Sequence, residues 1–179
     1  ADVVYAQLDD ELRLQGMDRS LTRAMAPSLF AFPAQSNFSG VQHPLGLIDA
    51  AQRAGYAVLL DAAAFVPTNA LRLDVVRPEF VALSFYKMFG YPTGIGALIA
   101  RRDALAALVR PWFAGGTVEF VSTQHRMHML KTGAEAFEDG TPNFASIAAV
   151  PAGLELLGEI GLANVKRRVG QLTVHLLAE

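Results

Sequence analysis

Apolar residues along this chain follow two rhythms. Short unbroken runs predict β-strands: Ser28-Leu-Phe-Ala-Phe32, Tyr56-Ala-Val-Leu-Leu60, Phe80-Val-Ala-Leu83 and residues 95–100. Between the first two, Pro44 to Gly55 carries Leu45, Ile48, Ala51 and Ala54 at helical spacing, with Pro44 suited to a first turn and Gly55 as a stop. The continuous Tyr56–Leu60 run suits a parallel strand covered on both faces. Residues 71–78 read as a connection. Strand, helix, strand, connection, strand therefore predicts an α/β fold: a mainly parallel sheet with helices on both faces, right-handed crossovers and one antiparallel strand at 95–100.

The flanks are read the same way. Tyr5 to Leu14 predicts a helix with Asp9, Asp10 and Glu11 on it. Arg101 to Val109 predicts a short helix, Gly115-Gly-Thr117 a turn, and Val118 to Val121 an edge strand. Ser146 to Ile160 predicts one amphipathic helix, with Ile147, Val150, Leu154, Leu157 and Ile160 on its apolar face. Ala163 to Leu177 predicts another. There is no internal repeat.

Composition narrows the function classes. With 179 residues, 52% hydrophobic, the chain is one domain or a large piece of one. Its start at Ala1 and its end inside a helical pattern suggest a fragment. A net charge of −2 and a pI of about 6.1 give no basic surface for nucleic acid or an anionic membrane. Mean hydropathy is +0.29, yet no run of about eighteen uncharged apolar residues implies a membrane span. The acidic N-terminal residues do not resemble a signal peptide, so a cytoplasmic location is expected. Cysteine is absent, which removes disulfides and thiolate chemistry from these residues. The histidines of Gln124-His-Arg-Met-His128 lack a third ligand at metal spacing, so no metal site is expected.

Candidate chemistry gathers where strands end, the edge at which open α/β sheets bind ligands. Lys87 is one of only three lysines, with Lys131 and Lys166. It follows the third strand in Ser84-Phe-Tyr-Lys87-Met-Phe-Gly90-Tyr-Pro-Thr-Gly94, read as a Gly-rich loop. A lysine there can form a Schiff base with a carbonyl, or simply lie on the surface with its stem packed. Asn37 and Ser39, in Gln35-Ser-Asn-Phe-Ser-Gly40, are ligand candidates or turn residues. Asp61 ends the second strand. It can cap the following Ala62-Ala-Ala-Phe65 or hold a protonated ring nitrogen or a metal, and burial there is costly without a partner. Thr141, in Phe137-Glu-Asp-Gly-Thr-Pro-Asn143, can help hold a phosphate or cap a helix.

Taken together, Gln35–Gly40, Leu60-Asp-Ala-Ala63, Ser84–Lys87 with Gly90–Gly96, Gly115-Gly-Thr117 and Phe137–Asn143 resemble the class V aminotransferase family of pyridoxal-phosphate enzymes (fold type I). Within it, Pro33-Ala-Gln-Ser-Asn-Phe-Ser-Gly40 and Ser84–Gly94 look most like the aminotransferase-like domain of molybdenum cofactor sulfurases, with cysteine desulfurases next. The resemblance implies that Lys87 carries the cofactor Schiff base and shuttles a proton, and that Asp61 pairs with the pyridine nitrogen. It implies that Ser84 and Tyr86 hold the phosphate, and that Asn37 lies beside the cofactor oxygen or the substrate carboxylate. Thr141 would reach a phosphate, usually that of the partner subunit in a homodimer. Residues 1–145 would be part of the cofactor-binding large domain, and 146–179 helices leading toward a small domain.

Two departures steer the subfamily. Ala64 stands where many desulfurases have glutamine, and Tyr86 where many have histidine. Both changes occur in the sulfurase-like branch. The implied activity is pyridoxal 5'-phosphate-dependent sulfur transfer from an amino acid, L-cysteine favoured. A thiolate to take the sulfur is absent from these residues. The alternatives are another class V reaction (aminotransferase, lyase or epimerase), or an inactive scaffold or dimerisation module.

Overall fold

The computed structural model describes residues 2–16 and 21–179; Ala1 and residues 17–20 lie outside that description. The elements are β1 (Leu29–Pro33), α1 (Gly46–Arg53), β2 (Ala57–Asp61), β3 (Phe80–Ser84), α2 (Tyr86–Phe89) and β4 (Gly96–Ala100). They continue with α3 (Arg102–Ala107), β5 (Val118–Val121), β6 (His128–Leu130), a 3-10 turn (Gly133–Phe137), α4 (Phe144–Ile147), α5 (Val150–Ile160) and α6 (Leu162–Ala178). The main sheet has the order β1-β2-β3-β4. The β1–β2 and β2–β3 pairs are parallel, and β4 runs antiparallel to β3. An α/β fold with one reversed strand is what the apolar runs predict.

Register assigns the faces. Phe32 pairs with Leu60 and Leu60 with Val81, so these three share one face. That face is covered by α1 through Leu47, Ile48 and Ala51, and the resulting core includes Val58, Ala62 and Phe65. Burial of this apolar stripe is the main source of stability here. The opposite face is less covered than the continuous apolar runs suggest. Leu29 is 54% exposed and Leu98 59% exposed there, whereas Phe80 is buried. Asp61 pairs with Ala82 and lies on this more open face.

The entry end of the sheet is tied by one carboxylate. Glu79 accepts hydrogen bonds from Gln52 Nε2 (3.0 and 3.2 Å), from the Val58 N–H (2.8 Å) and from Arg101 (2.9 Å). It joins α1, β2 and the exit of β4. The exposed Arg101 adds little to this by charge alone. The half-buried bonds from Gln52 and Val58 carry more, because they satisfy donors removed from water.

Three expectations need correction. Tyr5–Leu14 is not a helix. Asp9 Oδ1 accepts from the N–H groups of Glu11 (3.0 Å) and Arg13 (2.8 Å), and Leu8 bridges Leu14 in antiparallel fashion. An aspartate side chain competing for nearby N–H groups favours a turn over a helix. Val118–Val121 is the edge strand expected, and it pairs with β6 in a separate two-stranded sheet. Ser146–Ile160 is two helices, because in one continuous helix Pro151 would lack its N–H and its ring would crowd the carbonyl of Ile147; it sits instead in the first turn of α5. Much of its apolar stripe is open, with Leu154 and Ile160 each 47% exposed. Lys87 lies in the single helical turn α2 rather than in a loop.

The turn that carries Lys87 rests on α5. A Cβ placed on Gly153 would lie 2.5–2.6 Å from Phe89 ring atoms, so the ring occupies the space that any side chain at 153 would fill. Phe89 also stacks on Phe85, with ring centroids 6.1 Å apart. The two C-terminal helices meet at a 72° bend, and no single helix among the described residues is long and apolar enough to cross a membrane.

Two outcomes follow from this packing. Gly153→Val should force Phe89 off α5 and destabilise the chain by about 1–3 kcal/mol. Gly158→Ala, on the same helix with open space around it, should instead stabilise by up to about 1 kcal/mol. Urea denaturation of both variants tests the pair, and equal behaviour would remove Phe89 as an anchor. The second concerns His43, 6% exposed, whose imidazole is held below its ordinary value of 6.5 by burial. The unfolded chain therefore binds this proton more readily. The contribution is complete above pH 6.5 and is lost as pH falls below it. Melting temperature should drop across that window, and His43→Gln should flatten the drop. Asp74 and Asp103, held below their ordinary 3.8 by hydrogen bonds from Arg72 and Arg101, titrate in a separate, more acidic range.

Candidate active site

Parallel pairing brings three strand exits to one edge. The Ala34 N–H donates to Asp61 O (2.8 Å), and the Ala62 N–H donates to Ala82 O (3.0 Å). The chain leaving β1, the end of β2 and the last residues of β3 therefore lie side by side, strands being about 4.8 Å apart. Asp61 and Ser84 sit at this edge. So does the loop from Ala34 to His43, closed at its base by the His43 N–H donating to Ala34 O (2.9 Å).

Inside that loop, structural and ligand-type residues separate. Ser36 Oγ accepts from the N–H groups of Phe38 (3.3 Å) and Ser39 (3.1 Å), and Ser39 Oγ accepts from Val41 (3.3 Å). Ser39 is thus spent on turn chemistry. The Asn37 side chain leaves the loop instead: Lys87 Nζ donates to Asn37 Oδ1 at 2.8 Å, across fifty residues of sequence. Behind it, Gln42 donates to Gln35 Oε1 (3.1 Å), while the buried Asn69 bonds Thr68 Oγ1 (2.9 Å) and Phe65 O (3.2 Å). Nothing in the residue pattern singled out Asn69. Its isolated Thr-Asn context reads as ordinary turn sequence.

Asp61 is exposed, so the burial cost expected of it does not arise. One oxygen accepts from the Ala63 N–H at 2.9 Å, the local capping bond. Its other oxygen has no hydrogen bond among the described residues. The half-buried Ser84 hydroxyl likewise has none, and Tyr86 is 44% exposed on the first position of α2. Ala64 lies in the turns that follow Asp61.

Thr141 is exposed on the loop between the 3-10 turn and α4, and no hydrogen bond links it to Lys87, Asn37, Asp61 or Ser84. One chain thus brings Asn37 and Lys87 into contact, puts Asp61 and Ser84 on the same edge, and keeps Thr141 in a second group. His125 and His128 lie around the β5–β6 hairpin, with His128 against the Phe113 ring (4.9 Å). No cluster of three metal-ligating side chains occurs among the described residues.

The edge has the donor set for a phosphorylated aromatic aldehyde. It offers a primary amine, a carboxylate with a free oxygen, an amide and two hydroxyls. These are the groups that condense with an aldehyde, hold a ring nitrogen and bind a phosphate. Pyridoxal 5'-phosphate fits this set.

Comparison with known proteins agrees with the fold and the motifs. The whole chain, residues 1–179, matches the family described as aminotransferase class-V. A molybdenum cofactor sulfurase of Caenorhabditis elegans is 46% identical over 149 residues, covering 83% of this chain and 21% of that protein. The molybdenum cofactor sulfurase of Homo sapiens is 38% identical over 161 residues, covering 83% and 18%. Among solved structures, the apo cysteine desulfurase of Thermococcus onnurineus NA1 superposes with a TM-score of 0.83 at 29% identity, over 96% of this chain and 42% of that one. A cysteine desulfurase of Escherichia coli gives 0.81 at 27% identity, over 99% and 45%. The chain spans about a fifth of the length of these curated relatives and less than half of the solved structures. With its mixed sheet, its strand-exit lysine and its motifs in order, the chain belongs to the class V aminotransferase family.

Proposed function

We propose that this chain is the cofactor-binding part of a pyridoxal 5'-phosphate enzyme that takes sulfur from an amino acid, L-cysteine favoured, as in cysteine desulfurases and molybdenum cofactor sulfurases. The observation that carries the reading is the Lys87–Asn37 contact at 2.8 Å, at the edge where Asp61 and Ser84 end their strands. Family membership over the full chain supports it.

When bound, the cofactor supplies an aldehyde and an electron sink for a carbanion. The residues of the chain do the rest. Lys87 provides the amine that binds the aldehyde covalently, and afterwards a base that moves a proton at the substrate carbon. Asn37 Oδ1 holds Lys87 Nζ within the site. The free oxygen of Asp61 accepts a charge-assisted hydrogen bond from a protonated ring nitrogen, which keeps that proton in place. Ser84 Oγ and the Tyr86 hydroxyl donate to phosphate oxygens. Thr141, separate from this group within one chain, serves a phosphate in a second copy, which makes the working unit a homodimer.

The sulfur acceptor is a thiol outside these 179 residues, because none of them is cysteine. The second reading is another class V reaction on an amino acid, one that needs no thiol.

The test is to add pyridoxal 5'-phosphate to the purified protein, reduce with borohydride and map the peptides. A pyridoxyl group on Lys87 is expected, and Lys87→Ala should abolish it. Asp61→Ala should keep the label yet lower turnover by about two orders of magnitude or more, since the ring proton is no longer held. Labelling spread over Lys131 and Lys166 would overturn the assignment. Sulfide release from L-cysteine separates sulfur transfer from the second reading.

A further inference from the structure

Arg110 is a charged side chain held on several sides outside the Lys87 edge. It is 7% exposed, yet it ion-pairs with Asp139 at 2.7 Å and donates a second hydrogen bond to Ala136 O. Its guanidinium carbon lies 5.2 Å from the Trp112 ring centroid and 5.7 Å from that of Phe137. A planar fork with aromatic rings nearby and both ends bonded is an arrangement that lysine cannot reproduce. Burying a guanidinium is costly, and here the charge partner and the carbonyl offset that cost.

What Arg110 holds is the segment that leads to Thr141. Ala136 and Asp139 bracket Phe137 and Glu138. The next residue, Gly140, donates its N–H to Gly115 O at 2.8 Å. Gly116, at φ +84°, has its Cβ position 3.1 Å from Gly140 O, so a side chain at 116 would be strained by its backbone and crowd the Gly140 carbonyl. Two residues beyond Thr141, the Asn143 side chain accepts from the Ser146 N–H at 3.2 Å and fixes the start of α4. Thr141 is therefore an exposed hydroxyl held between two fixed points. Asp139, two residues away, is the nearest carboxylate in sequence, and Arg110 neutralises it.

We infer that Arg110 is the positioning residue for Thr141: it aims the Thr141 loop at a phosphate monoester and cancels the charge of Asp139 beside it. The inference rests on the phosphate-bearing cofactor proposed above. Arg110 touches neither cofactor nor substrate. It acts through loop geometry and local charge.

The test uses two aldehydes that differ only in the phosphate, pyridoxal 5'-phosphate and pyridoxal. Affinity is read from a titration of the Lys87 label. Arg110→Met should weaken pyridoxal 5'-phosphate by about tenfold or more and leave pyridoxal within about twofold, the loss of a charge-assisted contact falling on the phosphate alone. Arg110→Lys keeps the charge but not the fork and should give a smaller loss of the same selectivity, so the test survives if the Met variant does not fold. Thr141→Val should show the same selectivity, and adding Arg110→Lys to it should cost less than about twofold more, as expected of residues that act in series. Equal weakening of both aldehydes, or additive losses in the double variant, would overturn the role of Arg110 alone. Absence of a Lys87 label in the unsubstituted protein would overturn the cofactor reading, and this inference with it.

Discussion

Backbone pairing of β2 between two parallel neighbours is the constraint on which the rest depends. Parallel strands point their C-terminal ends the same way, so chemistry from distant parts of the sequence arrives at one edge without long side chains to bridge it. The Ala34–Asp61 and Ala62–Ala82 backbone bonds stitch that edge together. At the opposite end, Glu79 ties α1, β2 and the exit of β4 with one carboxylate. Stability and chemistry are thereby separated: the half-buried Glu79 hydrogen-bond network sits at one end of the sheet, and side chains with unused polar atoms sit at the other.

Beyond the sheet, two docking contacts set the remaining geometry. Phe89 seats the Lys87 turn on α5 at Gly153, and Arg110 seats the Thr141 loop beside the β5–β6 hairpin. Both use an aromatic or planar group packed where nothing else fits. Such contacts fix orientation more sharply than an aliphatic contact of equal area, because a ring or a guanidinium tolerates few rotations. The two groups are not hydrogen-bonded to each other within one chain.

The strands and the first helix were legible because each carries a single unambiguous pattern: four apolar runs and one periodic stretch. The site edge was legible for the same reason, since strand order alone brings Asp61, Ser84 and Lys87 together. What could not be read depends on contacts remote in sequence or on local competition. Asp9 captured the N–H groups that a helix at Tyr5–Leu14 would need. Pro151 sat inside a stripe whose period was otherwise helical. Neither the partnership of Arg110 with Trp112, Phe137 and Asp139 nor the fit of Phe89 against Gly153 leaves a mark in any short window. The Lys87–Asn37 bond joins two residues that strand order puts on the same edge, but no spacing in the sequence specifies their direct contact.

The exposure of Asp61 bears on how such a site can work. In bulk water two unit charges 4 Å apart attract by about 1 kcal/mol, and by about 4 kcal/mol where the effective dielectric is near 20. A carboxylate that must keep a ring nitrogen protonated needs the second environment. The edge formed by Asp61, Ser84, Asn37 and Tyr86 lies on the more open side of the sheet in this chain. A bound aromatic ring lying against the strand ends would itself displace water from Asp61, and a second copy presenting Thr141 would displace more. On the proposed reading, cofactor binding and subunit assembly are then coupled: each lowers the local dielectric that the other's polar contacts need.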